Sequence, residues 1–204
     1  MAQIQVNHLT FYYEGNYEEL FSDVSFAIDT DWKLGFVGRN GRGKTTFLNT
    51  LTCLIPPTSG EILIDGEPAD PKKHNLSFVF QEPSAMPWLT VEDNIAFGMK
   101  LKGWTKDRIK AQTDKIIELM GLSKSRKQYP HELSVSTEQK VVIGRAFAME
   151  PDLLLMDEPY GQMDIKTRFY LEDEVIRLWR ELGSTVLFIT HNVEEACYLA
   201  DRVL

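Results

Sequence analysis

The chain of 204 residues is 43% hydrophobic and 25% charged, an ordinary globular balance for one domain with room for a small inserted subdomain. Its net charge of −8 argues against an electrostatic nucleic-acid binder, and no direct nucleic-acid partner is expected. The start MAQIQVNHL has neither the basic nor the apolar stretch of a leader, and no apolar run approaches the roughly 20 residues of a membrane span.

In chain order, IQVNHLTFYY and LFSDVSFAID alternate apolar and polar residues, the pattern of antiparallel strands with one wet face. LGFV (34–37) is short and apolar without clean alternation, as are LSFVF (76–80), LLLM (153–156) and TVLFIT (185–190). Each suits a strand buried on both faces of a parallel sheet. GEILIDG (60–66) reads as one more short strand between glycines. From 83 to 134 there are no strand runs, and Ile109, Ile116 and Met120 mark a helix closed by Gly121, so this region reads as a helical insertion. Leu171, Val175, Leu178, Trp179 and Leu182 form the apolar face of a second helix, closed by Gly183. ADRVL at the end reads as the beginning of a strand. The expectation is an α/β fold with a largely parallel sheet, an N-terminal antiparallel β subdomain and a helical subdomain inserted over 83–134. Cys53 and Cys197 fit no metal spacing and read as reduced thiols.

Polar residues of catalytic type follow the buried runs at once. Gly38 follows Val37, Gln81 follows Phe80, Asp157 and Glu158 follow Met156, and His191 follows Thr190. In open α/β sheets ligands bind beyond the carboxyl ends of the strands, so together these suggest one shared site. The strongest element is GRNGRGKT, Gly38 to Thr45, which matches G-x-x-x-x-G-K-[ST] between a strand and a helix. Glycines let backbone N–H groups turn inward around phosphate oxygens, Lys44 bridges the outer phosphates, and the Thr45 hydroxyl suits Mg²⁺. A plain glycine turn with a surface lysine is the bland alternative, and the flanking strand and helix weigh against it. Asp157 suits the Mg²⁺, usually through water, and Glu158 suits orienting or deprotonating an attacking water. His191 and Gln81 are ambiguous alone, because THNVEEA opens a helix that Asn192 or Thr190 could cap. Tyr12 and Tyr13 fit edge-strand aromatics as well as a base-stacking platform.

As a set, these residues resemble the nucleotide-binding domain of ABC ATPases over nearly the whole chain and in the family's order. GRNGRGKTT is similar to its Walker A loop and LLLMDE to its Walker B. The resemblance implies a P-loop NTPase core of RecA-like type, with ATP and Mg²⁺ as cofactors. It implies nucleotide contacts from Gly38, Asn40, Gly41, Gly43, Lys44, Thr45 and Thr46, and adenine stacking by Tyr13. Gln81 resembles the Q-loop residue, catalytic and a metal ligand beside Thr45 and Asp157. His191 resembles the switch histidine, Asp164 in GQMD the D-loop acid, and Ser134 the serine of the signature. Glu158, His191 and Gln81 would be the catalytic set. PPTSGEILIDG, PWLTVEDNIAFGMKLKG and TVLFITHNVEEACYLADRV resemble importer ATPases of the nitrate, sulfonate and taurine group. DTDWKLGFVGRNGRGKTTFLN is instead similar to ABC-F proteins, soluble factors that act on ribosomes. The importer likeness implies a head-to-tail pair with a second ABC domain, permease subunits docked on the helical subdomain, and a solute-binding protein met indirectly. It places the chain in the cytoplasm, on the inner face of the membrane. The family continues beyond the last strand seen here, which reads as C-terminal truncation. A P-loop kinase would leave the ordered series as coincidence.

One motif departs from the family. Its signature usually reads Leu-Ser-Gly-Gly-Gln, and here Leu133, Ser134, Val135, Ser136 and Thr137 occupy it. Glycine permits close backbone approach to a partner's γ-phosphate and backbone angles that valine adopts only at a cost. STEQ, Ser136 to Gln139, fits a capping box with Ser136 as N-cap. ATP binding at the Walker side is therefore expected to persist while hydrolysis at the composite site slows. A weakly hydrolysing regulatory domain is the related alternative.

Overall fold

A computed structural model describes residues 3–13, 19–29, 32–38, 43–82, 84–161 and 163–204. Two sheets form around nine strands and six α-helices among these residues. Strands β1 (Ile4–Phe11), β2 (Phe21–Ile28), β4 (Ser59–Ile64) and β5 (Glu67–Pro68) make an antiparallel sheet in the order β2-β1-β4-β5. In β1 the residues Ile4, Val6, Leu9 and Phe11 are all buried, which strict alternation could not achieve. The register shifts between Val6 and Leu9, where His8 takes φ 50°. That bulge returns Leu9 and Phe11 to the inner face.

The second sheet contains β3 (Lys33–Val37), β6 (Leu76–Val79), β7 (Leu153–Asp157), β8 (Thr185–Thr190) and β9 (Arg202–Val203), in the order β6-β7-β8-β3-β9. Every pairing in it is parallel. All of β7 and β8 is buried, because both faces of this sheet are covered. Side chains alternate between two cores. Leu154, Met156, Val186 and Phe188 face one, with helices α2 (Val91–Leu101), α3 (Lys106–Leu119), α4 (Val135–Ala148) and α5 (Ile165–Leu182) contributing. Leu153, Leu155, Leu187 and Ile189 face the other, against helix α1 (Lys44–Leu51) and the antiparallel sheet. Each such side chain contributes about 1.5–3 kcal/mol by burial. The same alternation puts Asp157 on the α1 face of β7, two residues beyond Leu155.

The fold is thus the expected α/β fold with a parallel sheet and a separate antiparallel one. Gly121 and Gly183 end α3 and α5 at φ 63° and 61°. The described residues from 84 to 134 form α2, α3 and two short 3-10 turns without a strand. Gly98 lets α2 lie close to the end of α4, since a Cβ there would meet Met149 Sδ at 2.4 Å. Helix α6 (Val193–Leu199) begins at Asn192, whose side chain accepts from the Glu194 and Glu195 amides. Of the two caps considered there, Asn192 is the one used. No helix among the described residues is long and apolar enough to cross a membrane.

The capping box expected at Ser136 is not formed. Ser134 is the N-cap of α4 and accepts from the Thr137 amide at 3.2 Å. Gln139 is instead buried, and its Nε2 donates to the Pro159 carbonyl at 2.8 Å. The reason is tertiary packing: with Gln139 turned inward to Pro159, the hydroxyl that reaches an amide three residues on is that of Ser134, at Thr137. Val135 and Ser136 consequently lie inside the first helical turn, where a negative φ suits any residue. The expected backbone cost of replacing glycine by valine is absent.

Candidate functional site

Beyond the ends of β6 and β7 lies a cavity of about 430 Å³, and Gly38 and His191, after β3 and β8, are bonded to residues that line it. Gly43, Lys44, Thr45, Thr46, Gln81, Glu158, Leu20 and Tyr13 line it. Gly43 caps α1 at φ 80°, and a Cβ there would come within 2.7 Å of Leu20 Cγ. Glycine is required at that position on both counts. Lys44 is buried and its Nζ donates to the Gly38 carbonyl at 2.6 Å. Its ammonium is thereby folded back onto the residue that follows β3. Asn40 and Gly41 lie outside the described residues.

Thr45 Oγ1 donates to Asp157 Oδ2 at 2.6 Å. Burial, and then the neighbouring Glu158 charge, push the Asp157 carboxyl up, against the Thr45 hydrogen bond and Lys44, which pull it down. A buried carboxylate held at this cost, with a hydroxyl beside it, is a hard-oxygen pair of the kind that suits Mg²⁺. A cation there would reverse the upward push.

Glu158 stands at φ 45°, a left-handed conformation that costs a glutamate of order 1–3 kcal/mol. Its amide donates to the Ile189 carbonyl at 2.9 Å, so the sheet holds the strained residue in place. Gln81 Nε2 approaches Glu158 Oε2 at 3.4 Å, and His191 Nδ1 lies 3.1 Å from the same oxygen. Against a carboxylate oxygen Nδ1 is the donor of this bond. The carboxylate is nearly buried while the His191 side chain is 55% exposed. Tyr13, exposed at the rim, shares a hydrogen bond of 2.9 Å with Thr46 Oγ1 and rests edge-on to Phe11.

The structure therefore brings together Tyr13, Gly38, Gly43, Lys44, Thr45, Thr46, Gln81, Asp157, Glu158 and His191. It does not bring Ser134 or Asp164 to this cavity. Asp164 is the N-cap of α5 and accepts from the Lys166 and Thr167 amides at 3.1 Å each. The Thr167 side chain and these amides hold its carboxyl below the ordinary range. Ser134 Oγ contacts Ser136 Oγ at 3.0 Å and Thr137 Oγ1 at 2.8 Å. Both residues sit at helix starts on the exterior.

Two residues on α4 hold it to the site's surroundings, Gln139 in place of its expected capping role and Arg145 without any sequence expectation. Gln139 ties the helix to Pro159, and Arg145 ties it to Ser84, donating to its carbonyl and hydroxyl at 2.9 Å each. Burial pulls the Arg145 guanidinium downward from its usual range. An arginine inside the apolar run VVIGRAFA was the available signal. Gln139 links the start of α4 to the segment after Glu158, and Arg145 links its last turn to the segment after Gln81.

Comparison with known proteins gives a consistent set of likenesses. A family model described as ABC transporter matches residues 21–161. An uncharacterized ABC transporter ATP-binding protein of Methanocaldococcus jannaschii is 36% identical over 205 residues, covering 100% of this chain and 77% of that protein. The taurine import ATP-binding protein TauB of Roseobacter denitrificans is 34% identical over 207 residues, covering 100% and 77%. The nitrate import ATP-binding protein NrtD of Synechocystis is 38% identical over 181 residues, covering 89% and 68%. Among solved structures, cbiO1 of Clostridium perfringens, described as part of the ABC transporter complex cbiONQ, superposes with a TM-score of 0.89. It is 24% identical, and the match covers 98% of this chain and 82% of that one, a likeness of fold.

Proposed function

Since this chain belongs to the ABC transporter family, we propose that it is the ATP-binding and ATP-hydrolysing subunit of an importer. The observation that carries this reading is that Thr45, Gln81 and Glu158 line one cavity, with Asp157 bonded to Thr45 and His191 to Glu158. The relatives named as import subunits span the N-terminal stretch as well, so the importer likeness extends over the part that resembles ABC-F proteins.

The residues divide the work as follows. Lys44 and the amides at the start of α1 neutralise phosphate charge, and the helix N-terminus adds its dipole. Tyr13 offers a ring face for adenine. Thr45 and Asp157, with Gln81, would hold Mg²⁺, which when bound neutralises charge developing on the transferred phosphoryl group. Glu158 accepts a proton from the attacking water or orients it. His191 Nδ1 and Gln81 Nε2 both bond Glu158 Oε2 and hold the carboxylate in place. Asn40 and Gly41 complete the phosphate loop in this reading.

Ser134 and Asp164 belong to a surface that a second ABC domain would meet head to tail. Helices α2 and α3 belong to a subdomain spanning 83–134 within one domain of 1–204, on which permease subunits dock. Exposed Trp88 and Leu101 in that region support a docked partner. A solute-binding protein would be met through the permease, with this chain on the cytoplasmic face of the membrane. Binding and closure would then shift the membrane subunits between two states.

The test is phosphate release from ATP by the purified chain at concentrations that allow pairing. Release with Mg²⁺ that stops on adding EDTA is expected. Binding of ATP without release at any protein concentration, or in the presence of the membrane partner, overturns the hydrolytic half of the reading.

A further inference from the structure

Behind His191 lies a cluster of titratable groups that the hydrolysis described above does not use. Glu172 on α5 is 1% exposed, and neither of its carboxylate oxygens has a hydrogen-bond partner. Tyr160 Oη, Arg168 Nε and Glu195 Oε1 are buried and unpartnered as well. Arg168 Nη1 stands 3.9 Å from Glu195 Oε2, a loose ion pair. Beside them is a small space of about 30 Å³ lined by Glu158, Gly161, Arg168, Thr190, His191 and Glu195. It is polar and has room for a water molecule. Arg168 and Glu195 line this space, Glu172 and Tyr160 are coupled to them through their charges, and the unsatisfied atoms of all four require an account.

The charges do not balance with both acids ionised. Glu172 faces Arg168 and Asp173 from its own helix, Glu195 from α6 and the Tyr160 phenol from the segment after β7. Lys140 on α4 is engaged with Glu174 at 2.5 Å. Beyond Glu195 stand His191 and Glu158, whose fields reach it. Only Arg168 favours a charged Glu172, while burial, Glu195 and Asp173 oppose it, and its carboxyl is pushed up to about 7. Two buried carboxylates sharing one cation do best when one of them keeps its proton.

Given the reading of this site as an ATPase centre, we propose that Glu172 is a positioning residue for hydrolysis. As a neutral acid it leaves Arg168 to Glu195, and that pair, with water in the adjoining space, steadies His191 against Glu158. Glu195 is in the first turn of α6, directly after the His191–Asn192 turn. Loss of the Glu172 proton adds a negative charge that competes for Arg168 and repels Glu195. The contact between His191 and Glu158 then loosens. Glu172 is neutral below its titration and charged above it, so turnover falls as pH rises through about 7.

The experiment compares the wild type with Glu172→Gln, which is isosteric and permanently neutral. ATPase kcat and KM are measured from about pH 6 to about pH 9, covering both protonation states. A several-fold fall in wild-type kcat across neutral pH, absent in Glu172→Gln and without a change in KM, is expected. Infrared spectra should show a carboxylic-acid carbonyl band in the wild type at low pH that Glu172→Gln lacks. Superimposed kcat profiles, or no such band, overturn the inference. Turnover in both proteins with superimposed profiles removes this inference alone. A wild type without turnover at any pH removes the functional reading and this inference with it.

Discussion

The two ends of the nucleotide machinery differ in how complete they are within one chain. At the Walker end, polar groups satisfy one another: Thr45 with Asp157, Gln81 and His191 with Glu158, Lys44 with Gly38. At the start of α4, Ser134, Ser136 and Thr137 bond among themselves and Val135 is 52% exposed. One end is assembled by the sheet, whose strand termini fix it. The other is an exposed helix cap, which in the proposed reading acts only with a second ABC domain. Substitutions at the first end should therefore change nucleotide binding by the isolated chain, and those at the second should change turnover only in the assembled pair.

The largest effect is expected from Glu158→Gln. It keeps the size of the side chain and removes the proton acceptor, and general-base removal costs about 10²–10⁴-fold in turnover. Steady-state phosphate release should fall by that order while ATP binding, followed by a fluorescent analogue, persists. Turnover near the wild-type rate would show that the strained residue at φ 45° is not the base. Lys44→Ala comes next. A lost charged hydrogen bond is worth about 1.5–3 kcal/mol, so nucleotide affinity of the isolated chain should drop by about 10–100-fold. Unchanged affinity would mean that the ammonium stays folded onto Gly38.

Most of the Walker end was legible because it is local. The run GRNGRGKT carries its turn and its helix start together, and the four buried strands end where their polar residues begin. Even the face on which Asp157 lies follows from the two-residue period of β7. The start of α4 was less legible. Ser134 and Ser136 are both hydroxyls followed by plausible cap partners, and only the burial of Gln139 against Pro159 decides between them. That burial depends on residues 20 positions away. The Glu172 cluster was invisible for the same reason. LEDEV reads as solvated acids, and tertiary packing alone puts the first of them among Tyr160, Arg168 and Glu195. The glycine argument at Val135 failed because it assumed loop geometry where a helix had already begun.

That last point sharpens the expectation for the second end. With no backbone strain at Val135, what remains is the bulk of its exposed side chain and the distance it imposes on an approaching phosphate. Val135→Gly with Ser136→Gly should raise turnover of the assembled transporter about three- to tenfold, a change of about 1 kcal/mol in barrier. ATP affinity of the isolated chain should not move, since neither residue lines the cavity. Unchanged turnover in the assembly would show that hydroxyls serve this contact as well as glycines do.

The smallest effect belongs to Ser134→Ala, and it separates the cap from the contact. Ser134 Oγ accepts from the Thr137 amide, and removing an N-cap costs about 0.5–2 kcal/mol, with Glu138 in the first turn left to offset part of it. For a chain of this size about 1 kcal/mol lowers Tm by roughly 2–4 °C, measurable by calorimetry on the isolated protein. Ser134→Asp restores a cap acceptor yet places negative charge where a phosphate would approach. It should recover most of the lost Tm and still lower turnover of the assembly below that of Ser134→Ala. Equal turnover in the two variants would mean that Ser134 serves the helix and nothing beyond it.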